Sequence, residues 1–471
     1  MGVYVPSADL RGLRPLRAGP RPGGDLTWAA AIATSTGALL AAAVLGDSRV
    51  FMATAVCAAF GIVFAINPTA GVAAIVIVRP SLDLWADRPL ATAGSLSLNP
   101  ASLMALMFIA IGGAYVIERW EDVKQAPVTW PYLGMAAMAT LSIMVAPSKG
   151  GAITETLRLA SIAILYMAVW AVIRDRRGLL LMVGALITSL AVPTVVAIWQ
   201  FAHGGSTVIG ETGRSAGTFL HPDPFGVFLG FMCAMVFPLL LCRRFPGRML
   251  LVLVYPLILL ALIASYTRTG WVGFVIGVLV IAFVRYRSIL VVAPLALVLL
   301  AAALPSTVHR FSDLTSGRTH YGPGNSLRAR IDLWRSNLPK VAHDPVFGNG
   351  FKSIVEDTTA TKGGGVNVVQ GAHSHSDFVR AIVELGVPGL VFFCWLLFGT
   401  WFACRRAFRR ARGRDPTVAA IALGALAAMS AYVVMSFDSN LMTQVAVAGT
   451  AWTVAAVGHA AGRIELAPAE S

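Results

Sequence analysis

The chain has 471 residues, of which 57 % are hydrophobic and only 13 % are charged, and it carries a formal net charge of +14. Its mean hydropathy of +0.73 lies outside the range of soluble globular proteins, so the composition argues against a soluble enzyme. The basic residues form short clusters between apolar runs, which indicates orientation in a membrane and not nucleic-acid binding.

Residues 1–27 are basic and rich in proline and glycine, and they predict a cytoplasmic tail. Apolar runs of about 17–21 residues follow through 28–304, and each can cross a hydrocarbon core of roughly 30 Å as a helix. If every arginine cluster is cytoplasmic, the chain has about 14 spans and both termini inside. This count requires a short span at 67–79, which opens with Asn67-Pro68.

The apolar runs within 376–460 predict the C-terminal transmembrane helices, and 461–471 predicts a second cytoplasmic tail. The stretch 305–375 is the one external segment long enough to have a structure of its own. We therefore predict an all-α polytopic membrane protein, with about 12–14 transmembrane helices and one long external loop.

The external loop contains "SLRARIDLWRSNLPKVAHD" (326–344), in which apolar residues recur at helical spacing. These residues are Leu327, Ile331, Trp334, Leu338 and Val341. The spacing predicts an amphipathic helix that lies on the outer leaflet or caps the bundle. The following "DPVFGNGF" (344–351) is typical of a turn, and the three consecutive glycines within 358–372 predict a flexible lid.

Three arginines occupy positions where a charge is costly. Arg158 lies one turn into a predicted span, and Arg214 and Arg268 lie just before spans, all on the predicted outer side. Such residues usually face a wet cavity and mark a functional site, although each one alone also fits an anchor whose charge reaches the interface. The planar guanidinium suits phosphate or pyrophosphate oxygens, which indicates the class of ligand.

The segment "SHSD" (374–377) has the form of a capping box, with Ser374 as the N-cap and Asp377 reaching back. This pattern predicts that His375 lies in the first helical turn, where the helix dipole disfavours imidazolium and keeps the ring neutral. A neutral histidine beside anion-binding arginines is a candidate general base for an acceptor hydroxyl. A histidine that merely occupies a helix start explains this segment equally well.

The longer "HSHSD" (373–377) also suggests a metal site made by His373, His375 and Asp377. Phe378 follows where a metallo-β-lactamase-like motif needs another histidine, and the other external histidines show no ligand spacing. A metal centre requires three or four ligands in suitable geometry. We therefore predict no metal at this site, and metal-dependent hydrolysis remains a minor alternative.

Five segments resemble, in order, the signature of the O-antigen ligase and O-antigen polymerase superfamily. They are "GRSAGTF" (213–219), "SYTRTG" (265–270), "RIDLW" (330–334), "DPVFGNGF" (344–351) and "HSDFVRAIVELGVPGL" (375–390). By its spacing to Glu384 and Gly386, His375 matches the family's key histidine. Ser376 stands where the family usually has asparagine.

The resemblance implies a GT-C-like fold and a metal-independent, inverting glycosyltransferase that needs no cofactor. Its expected donor is a polyprenyl-pyrophosphate-linked glycan, and its expected acceptor is a glycan or lipid-glycan hydroxyl. The reaction would occur at the outer face of a bacterial cytoplasmic membrane, in cell-surface polysaccharide assembly. The partners are therefore this donor, the acceptor and the lipid bilayer, with no nucleic acid.

Carried onto this sequence, the resemblance implies that Arg214 and Arg268 clamp the pyrophosphate and that His375 is the general base. Arg330 would hold phosphate or sugar from the external loop. Further residues are predicted to bind substrate because of their positions. They are Arg158, Arg380, Glu384, Trp334 and His373. Arg380 and Glu384 also stand four residues apart, so they fit a simple pair on one helix.

Two questions stay open on the sequence alone. Ligase and polymerase use the same donor chemistry and differ in the acceptor, so the sequence does not separate them. A transporter or flippase of lipid-linked saccharide is the alternative from another functional class. Its sites usually lie near the middle of the membrane, whereas the ionisable residues here gather at one predicted face.

Overall fold

The computed structural model describes residues 22–45, 47–85, 90–93, 96–205, 213–292, 318–319, 322–323, 326–359, 366–370 and 374–464. Within these ranges the protein is a helical bundle. Its helices, in chain order, are α1 (Asp25–Leu45), α2 (Ser48–Ile66), α3 (Pro68–Val78), α4 (Pro100–Glu118), α5 (Trp120–Val123), α6 (Thr129–Ser142), α7 (Lys149–Val172), α8 (Arg176–Thr188), α9 (Ala191–Ala202), α10 (Pro222–Leu241), α11 (Arg248–Ala264), α12 (Arg268–Val284), α13 (Ser326–Asn337), α14 (Asp377–Ala411), α15 (Pro416–Ser436) and α16 (Val445–Ala461). Two 3₁₀ segments, Arg79–Trp85 and Leu338–Ala342, extend α3 and α13.

The helix lengths confirm the prediction of an all-α polytopic membrane protein. Among the described residues, eight helical segments are long and apolar enough to cross a membrane, and α11, α12 and α16 are shorter apolar helices. The span predicted at 67–79 corresponds to α3, whose 11 residues rise only about 16 Å. Because α3 alone is too short for a crossing, the count of 14 spans stays a prediction. Most of the span predicted at 288–304 lies outside the described residues.

Short strands occur only as three two-stranded hairpins in the described part of the chain. They are β1–β2 (Ala91–Ala93 with Leu96–Leu98), β3–β4 (Arg318–Thr319 with Gly322–Pro323) and β5–β6 (Val355–Thr359 with Val366–Gln370). All three pairs are antiparallel, and the β5–β6 register runs from Val355↔Gln370 to Thr359↔Val366. The hairpins therefore belong to the connections and not to the bundle.

Local sequence explains where the central helices begin. Proline occupies the first turn of α10 and α15, where its missing N–H costs no hydrogen bond. The Asp415 carboxylate caps α15 by accepting from the backbone N–H groups of Thr417 and Val418. Helices α10, α12 and α15 then pack against one another at the centre of the bundle.

Glycines bring the first halves of α10 and α12 into backbone contact. A Cβ atom on Gly230 would lie 2.5 Å from the carbonyl oxygen of Gly270, and Gly226 faces the same residue. Small residues permit such close packing of membrane helices. As a result the start of α10, with Asp223, lies beside the start of α12, with Arg268.

The amphipathic helix predicted in the external loop is confirmed as α13, but it packs differently from the prediction. Leu333 is buried against Ile354 and Val383, whereas Leu338, which was expected on the buried face, is 41 % exposed. The Asn337 side chain donates to Val355 O (2.8 Å) and accepts from Val355 N (3.0 Å). This residue therefore ties α13 to the hairpin β5–β6.

The prediction of a flexible lid at 358–372 is wrong for residues 358–359 and 366–370, because they belong to the paired strands β5 and β6. The β-branched Val366, Val368 and Val369 favour extended structure, and this preference outweighs the nearby glycines. The three consecutive glycines themselves, at 363–365, lie outside the described residues.

The turn predicted at 344–351 is confirmed, and it packs on a kink in α14 at Gly386. Asp344 caps this turn by accepting from Phe347 N (3.1 Å). Gly348 and Gly386 adopt φ of +68° and +74°, and the Val387 N–H donates to Pro345 O (2.8 Å). A Cβ atom on Gly386 would lie 2.6 Å from Val346 O. The turn can therefore pack on the kink only because residue 386 has no side chain.

We expect Gly386→Ala to destabilise the protein more than Gly413→Ala does. Both glycines have positive φ, +74° and +83°, so alanine costs about 1–3 kcal/mol of backbone strain at either site, and Gly386, with ψ of −174°, lies in a region that almost only glycine adopts. Only Gly386 adds a steric clash, since nothing lies within 4 Å of a Cβ on Gly413. Thermal unfolding of both purified variants checks the difference, and equal midpoints would contradict the packing argument.

Candidate functional site

Charged side chains from four parts of the chain meet where α10 and α12 begin and α15 ends. We call this set the arginine cluster: Arg214, Asp223, Arg268, Arg330 and Asp438. Sequence analysis predicted the three arginines and missed the two carboxylates. Three guanidinium groups and two carboxylates leave one excess positive charge, which favours an anionic ligand at this position.

Arg214 is buried in this cluster, with 9 % of its side chain exposed. Its Nε donates to Ser265 O (3.0 Å), and its Nη2 donates to the Thr267 hydroxyl (3.1 Å) and to the Asp223 carboxylate. Thr267 is the N-cap residue of α12. Arg214 therefore fixes the start of α12, directly before Arg268, with donors that are already engaged by the protein.

Arg330 enters the cluster from α13 and forms an ion pair with Asp438. Asp438 also accepts from the Thr269 hydroxyl (2.6 Å), so it links the external helix to the first turn of α12. The pKa of the Arg330 guanidinium is lowered, mainly by burial, with nearby Asp223 opposing this shift and nearby Arg268 adding to it. Arg330 therefore lies near both Asp223 and Arg268.

His375 lies at the same end of the bundle, but the capping box predicted around it is wrong. Ser376, not Ser374, is the N-cap of α14, and it accepts from Val379 N. Asp377 does not reach back, because its Oδ1 accepts from Leu441 N (2.9 Å) and Met442 N (3.0 Å). His375 thus precedes the helix instead of lying in its first turn, and its side chain is exposed.

Hydrogen bonds from two other elements hold the backbone on either side of His375. The Trp334 indole N–H donates to Ser374 O (2.7 Å), and the Ser374 hydroxyl donates to Asn440 Oδ1 (2.7 Å). Asn440 also accepts from Ser376 N (3.2 Å). Trp334, predicted to bind substrate, therefore acts here as a support for the histidine segment.

A buried ion-pair network, formed by Glu155, Lys352, Arg380, Glu384 and Thr443, lies beneath the histidine segment. Arg380 donates to Glu384 (2.7 Å), Glu155 (2.8 Å) and Thr443 (2.7 Å). The Lys352 backbone N–H donates to Glu384 Oε1 (2.8 Å), and Lys352 Nζ lies 3.6 Å from Glu155 Oε1. The network joins α7, the residue that follows the 344–351 turn, α14 and the segment before α16.

This network changes the interpretation of two predicted substrate-binding residues. Arg380 and Glu384 have only 7 % and 2 % of their side chains exposed and bind one another, and Arg380 also binds Glu155. The pairing of Arg380 with Glu384 along one helix is confirmed. Arg158, by contrast, is 49 % exposed and pairs with Glu155 at 2.7 Å.

Backbone strain concentrates in the segments that build this end of the bundle. The non-glycine residues with positive φ in the described ranges are Tyr266 (+49°), Lys352 (+66°) and His375 (+52°). Tyr266 directly precedes Thr267 and Arg268, Lys352 belongs to the ion-pair network, and His375 is the candidate base. Such conformations each cost of order 1–3 kcal/mol and occur preferentially at functional sites.

Only weak signals in the sequence pointed to the residues that were missed. Asp223 stands in the proline-rich "HPDPFG" (221–226), which precedes a span, and Asp438 and Asn440 stand in "FDSN" (437–440) at the end of another. His373, predicted to bind substrate, lies outside the described residues. Across the described ranges no three His, Cys, Asp or Glu side chains form a group suited to a metal ion.

The O-antigen ligase family model matches residues 251–394 of this chain. The matched region includes Arg268, Arg330 and His375 and excludes Arg214 and Asp438. No curated protein matches the chain. The match covers residues 251–394 of a multi-pass membrane protein, and it supports a relation to the O-antigen ligase and polymerase superfamily and glycan transfer of that type.

Proposed function

We propose that the protein transfers glycan from a polyprenyl-pyrophosphate-linked donor to an acceptor hydroxyl, as a polymerase or a ligase of cell-surface polysaccharide. The reaction occurs in a GT-C-like bundle at the outer face of the bacterial cytoplasmic membrane. The observation that carries this proposal is that the arginine cluster and the strained His375 lie at one end of the bundle. Trp334 and Asn440 connect the two, since Trp334 lies one turn after Arg330, and Asn440 two residues after Asp438.

Arg268 and Arg330 bind the pyrophosphate of the donor. Guanidinium groups form paired hydrogen bonds with phosphate oxygens, and their charge neutralises the charge that develops on the leaving group. The excess positive charge of the cluster supports this role. A bound pyrophosphate competes with Asp438 for Arg330, because that ion pair engages the guanidinium in the present structure.

Arg214 is a positioning residue in this proposal, in place of the direct phosphate contact that the sequence predicted. Its donors hold Asp223, Ser265 and Thr267. It thereby fixes the first turn of α12 and the direction of Arg268. Arg380 and Glu384 likewise position the histidine segment from below.

His375 removes the proton from the acceptor hydroxyl as the hydroxyl oxygen attacks the anomeric carbon. The new glycosidic bond forms while the bond between that carbon and the pyrophosphate oxygen breaks. Polyprenyl pyrophosphate leaves with the bonding electrons, and the anomeric configuration inverts. His375 then releases its proton to solvent, to which its exposed side chain has access.

The proposal requires neither a metal nor a cofactor. The metal-dependent alternative assigned a ligand role to Asp377, but this residue is fully buried and its Oδ1 is engaged by two backbone N–H groups. His375, by contrast, is exposed. The two side chains therefore do not present a joint site to a metal ion.

Analysis of lipid-linked glycans in a deletion strain tests the proposed function. We expect deletion to change the lipid-linked pool and the wild-type gene to restore it. Single repeat units on lipid would identify a polymerase, and long chains retained on lipid would identify a ligase. A glycan that is trapped on the cytoplasmic face, or an unchanged pool, would contradict glycan transfer.

A further inference from the structure

A second set of arginines surrounds a cavity at the opposite end of the bundle. The same four helices that meet near the candidate site also meet here, because α10, α12, α14 and α15 each run from one end to the other. The 20 residues of α10 span about 30 Å, which separates this cavity from the arginine cluster. The positive-inside rule predicts that this end is cytoplasmic.

The cavity has a volume of about 510 Å³, within the range of small-ligand sites. Five arginines line it: Arg243, Arg244, Arg285, Arg412 and Arg414. They follow the ends of α10, α12 and α14, so arginines from three different helices line one space. Arginines that served only to orient the protein in the membrane would not need to line the same cavity.

The carboxylates of this region do not neutralise the cavity. In the described ranges, none of the five lining arginines lies within 4.0 Å of a carboxylate oxygen. The nearest acidic residue in sequence, Asp415, accepts from the α15 backbone and pairs with Arg176 at 3.0 Å. The net charge of the residues that line the cavity is therefore positive.

The floor of the cavity is apolar. Phe408, Ala419, Ala420 and Leu423 line it, and each is buried, with exposure between 1 % and 9 %. A rim of guanidinium groups over an apolar floor suits an amphiphile better than a freely soluble anion.

We propose that this cavity binds a phosphate group, and that the apolar floor selects the phosphate of an anionic lipid headgroup. The arginines at the rim hold the phosphate oxygens, and the floor contacts the glycerol and the first methylene groups. Soluble pyrophosphate offers the same oxygens without the apolar part, so it distinguishes the two sources of the ligand.

Binding measurements on the purified full-length protein test this site. Thermal unfolding and native mass spectrometry are performed in detergent with added phosphatidylglycerol, phosphatidylcholine or pyrophosphate. The cavity variant is R244Q/R285Q/R412Q. The control variant, R177Q/R287Q/R409Q, removes the same charge from exposed arginines of the same predicted face that do not line the cavity.

We expect phosphatidylglycerol to stabilise the wild-type and control proteins in a saturable manner, and phosphatidylcholine to do so less. The cavity variant should need at least about tenfold more phosphatidylglycerol for the same effect, since charge-assisted hydrogen bonds to phosphate are lost. Stabilisation by pyrophosphate alone would support the phosphate site but assign it to a soluble ligand. Equal losses in both triple variants, or no preference for either phosphate ligand over phosphatidylcholine, would overturn the proposal. Arg285→Gln alone is measured in parallel, so that the test does not depend on folding of the triple variant.

Discussion

Replacing His375 with alanine is expected to lower the rate of glycan transfer by about 10²- to 10⁴-fold, the usual contribution of a general base. The donor should still bind, because the arginine cluster does not include His375. Transfer of glycan from lipid-linked donor by purified protein in proteoliposomes measures this rate. His343→Ala is the matched control, since His343 is also exposed in the external segment and belongs to neither the cluster nor the network.

His375→Gly separates a catalytic histidine from a structural one. Because His375 has φ of +52°, glycine relieves roughly 1–2 kcal/mol of backbone strain. We therefore expect this variant to be at least as stable as the wild type and yet as inactive as His375→Ala. Wild-type transfer rates in the glycine variant would contradict the assignment of His375 as the base.

The sequence predicted well those features that local chemistry determines. The apolar runs correspond to helices, and the 344–351 turn forms because glycine accepts positive φ there. The helix start near His375 was displaced by two residues, since Ser374 and Ser376 are both of a residue type that caps helices. Only the distant Asn440, which binds Ser374, decides between them.

The features that sequence reasoning missed depend on contacts between remote segments. Glu155 meets Arg380 across 225 positions of the chain, and no periodicity links their two helices. Asp438 likewise meets Arg330 only because α13 folds back onto the end of α15. The candidate arginines were predictable because charge in an apolar segment is itself unusual, but the partners that orient them were not.

Arg380→Met is expected to destabilise the protein by about 3–5 kcal/mol, the cost of breaking a buried ion pair from one side. Methionine fills similar volume but leaves the carboxylates of Glu155 and Glu384 buried, with 3 % and 2 % of their side chains exposed. Arg158 pairs with the same Glu155 but is 49 % exposed, so Arg158→Gln should cost at most about 1 kcal/mol. Thermal unfolding of both variants, with the amount of folded protein in membranes, measures the contrast.

Measurements of stability and donor binding decide whether Arg380 is a positioning residue or contacts the substrate. A positioning residue in a structural network loses its function through unfolding, so removal of all three charges in E155Q/R380M/E384Q should restore much of the stability lost in Arg380→Met. This follows because the penalty comes from unpaired buried charge and not from absence of the pair. If Arg380→Met instead unfolds at the wild-type temperature and fails only in donor binding, Arg380 contacts the substrate, as the sequence first predicted.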